Sequence, residues 1–243
     1  AKDPEAVSLV VGLPGFQLLD AAGPTAVFEI DLQSRGDLSV TFAQSGETLL
    51  GAPNGTIRLT SSEGDVTVGT AQANDLIDIA AAGDIAVQTA TAGGDLSLDS
   101  SGNIDAGLLQ AGDDVRATAG GSFSADTAIA TGLGADSEAG PGVVSDGSNV
   151  VVAAAGNLRL DNGDSAGAIE LASTAGNLFS DGTLQAATSI EAVAPGEIDI
   201  NDADAGTDIS VDAGADADFG ALAADGSIEV TADNIVGESA IAG

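Results

Sequence analysis

Written out from Gly36, the chain repeats itself every 19 residues. GDLSVTFAQSGETLLGAPN is followed by GTIRLTSSEGDVTVGTAQA, NDLIDIAAAGDIAVQTATA, GGDLSLDSSGNIDAGLLQA and GDDVRATAGGSFSADTAIA. A longer stretch intervenes from Thr131 to Ala155, and rows of 20 residues then begin at Gly156. Each row holds two copies of one phrase, a glycine, a small or acidic residue, then apolar-x-apolar, as in Gly64-Asp65-Val66-Thr67-Val68. Apolar residues alternating with other residues mark a strand with one buried face. The glycines predict turns with positive φ. The register also repeats: Val66, Ile85, Ile104 and Phe123 stand 19 apart, as do Leu38, Ile57 and Leu76, with Leu96 and Val115 continuing one residue later. In the second block Leu158, Leu178 and Ile198 step by 20, and Ile209 and Ile228 by 19.

A chain that returns like residues at one interval stacks like over like. Each row is therefore one coil of an all-β parallel β-solenoid, built of turn, strand, turn, strand and a variable third side. With strands about 4.8 Å apart, roughly ten coils of 19 to 20 residues make a rod about 50 Å long. Helices are disfavoured because their apolar spacing is about 3 to 4 and because each interior glycine costs about 1 kcal/mol. A sandwich would alternate as well but would not hold a 19-residue register.

Composition restricts function. The 243 residues include 38 acidic and 5 basic side chains, a formal charge of -33, and no Cys, Met, Trp, Tyr or His. Without Cys or His there is no zinc finger, thiol nucleophile, Ser-His-Asp triad or imidazole switch. The bases Lys2, Arg35, Arg58, Arg116 and Arg159 are too few for a nucleic-acid surface. No apolar run approaches the roughly 20 residues that span a bilayer, so membrane insertion is not expected. An apolar share of 44% separates the chain from acidic disordered sequences. The organisation expected is an irregular segment or cap over 1–35, a first solenoid block over 36–130, an irregular coil with a loop insertion over 131–155, and a second block over 156–243 that continues beyond the sequence.

The phrases Gly94-Asp95-Leu96-Ser97-Leu98 and Gly156-Asn157-Leu158-Arg159-Leu160 resemble the degenerate repeats of filamentous-haemagglutinin-type exoproteins, the large adhesins exported by two-partner secretion. That resemblance implies a right-handed parallel β-helix, a bacterial secreted or cell-surface location, and attachment through a long shaft to a host-cell or surface receptor. The secretion domain of such proteins carries an Asn-Pro-Asn-Gly-type motif. Ala52-Pro53-Asn54-Gly55 matches only its last three residues, so this chain reads as shaft. Val10 to Glu29 resembles the opening of ThiJ/PfpI-type proteins, in which the position of Asp20 lies beside a cysteine nucleophile. This chain has no cysteine and nothing downstream continues the match, so the stretch reads as coincidence or as a cap.

Candidate sites follow from the turns. Asp75, Asp95 and Asp114 precede core positions in successive rows, and Asp65, Asp84 and Asn103 form a second file. Carboxylates stacked about 5 Å apart repel by roughly 0.8 kcal/mol per neighbour even in water. The expectation is that counter-ions relieve them, either Ca²⁺ bridging oxygens or salt, with no cofactor otherwise required. Solvated turn carboxylates are the competing reading. Asp199 to Asp218 fails the EF-hand pattern, with Ala203 at its fifth position and no Glu at its twelfth. Arg35-Gly36-Asp37 spells an integrin-recognition tripeptide, although Gly36-Asp37 is also the repeat's own turn. Relative to the rows, 131–155 carries a six-residue excess, and Asp136 and Glu138 within it are the contact candidates of a protruding loop. Catalysis is not expected, since the acids are spread among turns and only six Phe and five bases stand ready for a sugar or an anion. Two functions remain: an adhesin shaft, or an extracellular filament, sheath or surface-layer protein whose copies stack end to end.

Overall fold

The computed structural model describes residues 28–45, 55–132 and 147–243. Among these the secondary structure is entirely β, twenty strands that alternate between two sheets of ten. Every neighbouring pair is parallel. One sheet is built of short strands such as Ile77–Ala81 and Leu96–Ser100, the other of long strands such as Val66–Ala73 and Ile85–Ala92. One short and one long strand make each coil, and the coils stack into the expected β-solenoid.

Inside it the apolar files run the length of the rod. Ile57, Ile77, Leu96, Val115, Val150 and Ile169 lie above one another in the short-strand sheet. Leu38, Val66, Ile85, Ile104, Phe123, Leu158, Leu178 and Ile198 do so in the long-strand sheet. All are buried, and each such side chain is worth about 1.5–3 kcal/mol on leaving water. The long strands bury their first, third, sixth and eighth residues, as in Val66–Ala73. Two consecutive outward positions break the alternation and bend the strand. The third side expected of each row is therefore the second half of the long strand. It is lined inside by small residues such as Ala43, Ala71 and Ala90.

Three features differ from the sequence reading. Leu38 does not stack on Ile57; it starts a long strand and lies against Val66, 28 residues on, while Ile57 lies in the short-strand sheet above Ile30. The 19-residue step from Leu38 to Ile57 therefore coincides with the period by chance. The solenoid also begins before residue 36, because Phe28–Ser34 already pairs with Gly55–Ser61. Finally, Asp114 and Asn149 occupy equivalent turns 35 residues apart, where Asp95 and Asp114 before them and Asn149 and Ala168 after them are 19 apart. The insertion is thus larger than the row count indicated, and it is confined, since Val150–Ala154 is a regular strand between Val115–Ala119 and Ile169–Ser173. From Gly55 to Ala130 the rows run short strand then long, and from Gly156 they run long then short, a half-coil offset across the insertion.

Candidate functional site

Asp and Asn recur at the turns because their side chains join one coil to the next. Asp37 Oδ1 accepts the Asp65 N–H at 3.1 Å, Asp65 Oδ1 that of Asp84 at 2.8 Å, and Asp84 Oδ1 that of Asn103 at 2.7 Å. Asn103 continues the file to Ser122. In later coils Asn157 and Asn177 do the same. Each of these bonds lies at the surface, where a hydrogen bond contributes about 0.5–1.5 kcal/mol, and their repetition from coil to coil makes these oxygens structural acceptors. Among them, Asp208 has its carboxyl held below the usual carboxylate value by the Ser227 hydroxyl and N–H.

The same interlock explains the glycines. A Cβ on Gly176 would stand 2.6 Å from Asn157 Oδ1, one on Gly167 would stand 2.5 Å from Asn149 Oδ1, and one on Gly83 would overlap the Asp65 carboxylate. The Asx side chain of one coil occupies the space a side chain on the next coil's glycine would need. Positive φ is not the general reason. Among the described residues only Gly132 and Gly147, at φ 70° and 96°, adopt it, and both flank residues 133–146.

Of the metal candidates, Asp65 and Asp84 belong to the first file, exposed and one coil apart. Asp75 does not share a file with Asp95 and Asp114. The buried residue of its coil is Ile77 rather than Leu76, so Asp75 lies beneath Gly94 and Leu76 beneath Asp95. Asp95 and Asp114 do come together, and Asp113 joins them. Asp95, Asp113 and Asp114 are 7%, 4% and 3% exposed, and their carboxylates each offer an oxygen within 4.8 Å of the others. No other group of three potential ligands of this kind occurs among the described residues.

This turn is built from the starts of the strands Leu96–Ser100, Val115–Ala119 and Val150–Ala154. Asp114 N–H donates to Asp95 Oδ1 at 3.3 Å, Asn149 N–H to Asp114 Oδ1 at 2.7 Å, and Ser148 Oγ–H to Asp113 Oδ1 at 3.0 Å. Arg116 Nη2 lies 2.7 Å from Asp114 Oδ2. Burial, opposed by the Asp114 amide and reinforced by the charges of Asp113 and Asp114, pushes the Asp95 carboxyl up to about 6. Three buried acids against one guanidinium can share a proton, or suit a hard, oxygen-seeking cation of the Ca²⁺ type. Thr131 and Ser148, on either side of residues 133–146, both lie at this turn, Thr131 bonded to Ala111 and Gly112 and Ser148 to Asp113.

The remaining candidates are placed as follows. Arg35, Gly36 and Asp37 form an exposed turn between Phe28–Ser34 and Leu38–Ser45. Arg35 Nε pairs with Glu63 Oε1 at 2.8 Å, Ser61 Oγ–H donates to Gly36 O, and Asp37 is engaged by Asp65. Asp136 and Glu138 lie outside the described residues. Arg58 pairs with Glu29 and lies 3.9 Å from Asp78, and Arg159 meets Asp161 and Asp181, so every described arginine faces a carboxylate. Asp113, Ser148 and Arg116 join the acidic turn beyond the residues the row spacing singles out. The signal was the doubled acid of Gly112-Asp113-Asp114. No family model, curated protein or solved structure matches the chain.

Proposed function

We propose that this chain is a non-catalytic rod segment of a secreted or cell-surface adhesin-type exoprotein, a shaft that sets distance and displays contacts to a surface receptor. The observation that carries the reading is the unbroken stacking of two ten-stranded parallel sheets, with successive turns joined by side-chain acceptors. Such a construction supplies length and stiffness rather than a cleft. Its test has two arms. Sedimentation velocity should return a monomer with the high frictional ratio of a rod, in EDTA, in Ca²⁺ and in molar NaCl alike. The labelled protein should then bind cultured epithelial cells or an abiotic surface saturably, and a rod that binds neither would sink the adhesin reading.

A second reading, an extracellular filament or surface-layer protein that stacks end to end with cation-bridged acidic faces, draws on the later coils. There burial and the charges of Asp218 and Asp181 raise the Asp199 carboxyl. Calcium would enter as the counter-ion of such stacked acids. Fibres that form with Ca²⁺ and dissolve in EDTA would put this reading first.

A further inference from the structure

The outer face of the rod is not uniformly acidic. On the second half of the first long strands, Phe42, Thr70 and Thr89 form one outward file, and Gln44, Gln72 and Thr91 form the next. Both files stay uncharged as far as Thr127 and Ile129. In a chain of formal charge -33 this is a distinct strip. In later coils the same two files carry Asp164, Asp202 and Asp204. The strip is also more regular. Pairing runs without a register shift between Leu38–Ser45, Val66–Ala73 and Ile85–Ala92, whereas shifts interrupt it beside Gly163 and Thr183.

The chemistry of the strip is specific. Threonine hydroxyls and glutamine amides both donate and accept hydrogen bonds. Among the described residues none of these side chains is engaged within the protein, in contrast to the carboxylates of the turns. They recur at the strand spacing of about 4.8 Å, and Phe42, 50% exposed, gives one file an aromatic end. Sugar hydroxyls are donors and acceptors of the same kind, and a pyranose ring presents a C–H face to an aromatic. Anionic polymers are repelled by the rod as a whole. A protein partner would find one aromatic and none of the Trp, Tyr or Arg anchors that dominate interfaces. We propose that this strip binds a neutral polysaccharide laid along the rod. The inference stands on the face alone, and a rod whose strip binds nothing would remain a rod.

Depletion of the intact chain by microcrystalline cellulose and by insoluble β-1,3-glucan tests it, with alginate gel as the anionic control. The expected result is saturable binding to at least one neutral polymer, insensitive to NaCl and absent on alginate. Thr70→Asp with Thr89→Asp should weaken it about tenfold or more, with the β-type circular dichroism retained. Phe42→Ala, a smaller change, should weaken it severalfold. Ser97→Asp on the short-strand sheet should leave it unchanged. No binding to either neutral polymer, equal binding by the strip variants, or stronger binding to alginate would overturn the proposal. So would dimerisation that the Thr70→Asp, Thr89→Asp pair abolishes, since the strip would then serve a second copy of the chain.

Discussion

At the scale of single residues, Asp95 offers the sharpest test. Its unfolded value is the ordinary 3.8 and its folded value about 6, so the folded protein holds more protons between those two pH values. Its contribution to stability is therefore most favourable below the lower value and is lost as pH rises through the upper one. Asp95→Asn keeps the acceptor for the Asp114 N–H, as Asn149 does naturally in the same file, and removes the charge. Urea unfolding should show the variant more stable than the parent by about 2 kcal/mol at neutral pH and equal to it in acid. A variant less stable at neutral pH would mean that the charge is compensated in place. The glycine interlock makes a second prediction. Gly83→Ala should cost about 2–3 kcal/mol, and less when Asp65→Ala has cleared the space, giving a coupling of about 1 kcal/mol in a double-mutant cycle. The sequence displayed the Gly-Asp phrase but not its cause, because the clash is with a residue one coil away.

At the scale of strands, the core is filled by sharing between coils. Gly163 is an inward position, and a side chain there would meet Leu184, Leu160 and Ile169 at 3.1 to 3.4 Å. Leu184, on the strand above, fills that space. Leu184→Ala should therefore cost about 3 kcal/mol, and adding Gly163→Ala should return part of it, although Gly163→Ala alone destabilises by overpacking. Denaturant midpoints of the three variants decide this. The strands themselves were legible, since Val66, Ile85, Ile104 and Phe123 form the file their spacing announces. Their sheet was not, because one phrase opens both short and long strands. Leu38 and Ile57 accordingly looked equivalent, and the half-coil offset across the insertion went unseen. The acidic turn was legible in part: Asp95 and Asp114 follow from the row spacing, whereas Asp113 became visible only when the buried residue of each coil was fixed.

At the scale of the molecule, the coil is the unit of exchange. Deleting residues 85–103 removes one 19-residue coil and joins Asp84 to Ile104, whose neighbours below and above then remain of the same kind. The shortened chain should keep its circular dichroism and melt cooperatively within a few degrees of the parent. Deleting 85–94 instead puts two short strands in succession and should abolish cooperative melting. Repeat proteins take their stability from such nearest-neighbour contacts. These contacts are also one-sided in the acceptor files, where the lower coil supplies the oxygen and the upper coil the N–H, from Asp37 through Asp65 and Asp84 to Asn103. A finished coil is thus a mould for its successor and not for its predecessor. A chain that is threaded out N-terminus first meets a ready template at every step, and assembly of the stack acquires a direction much as a crystal face that can grow on one side only.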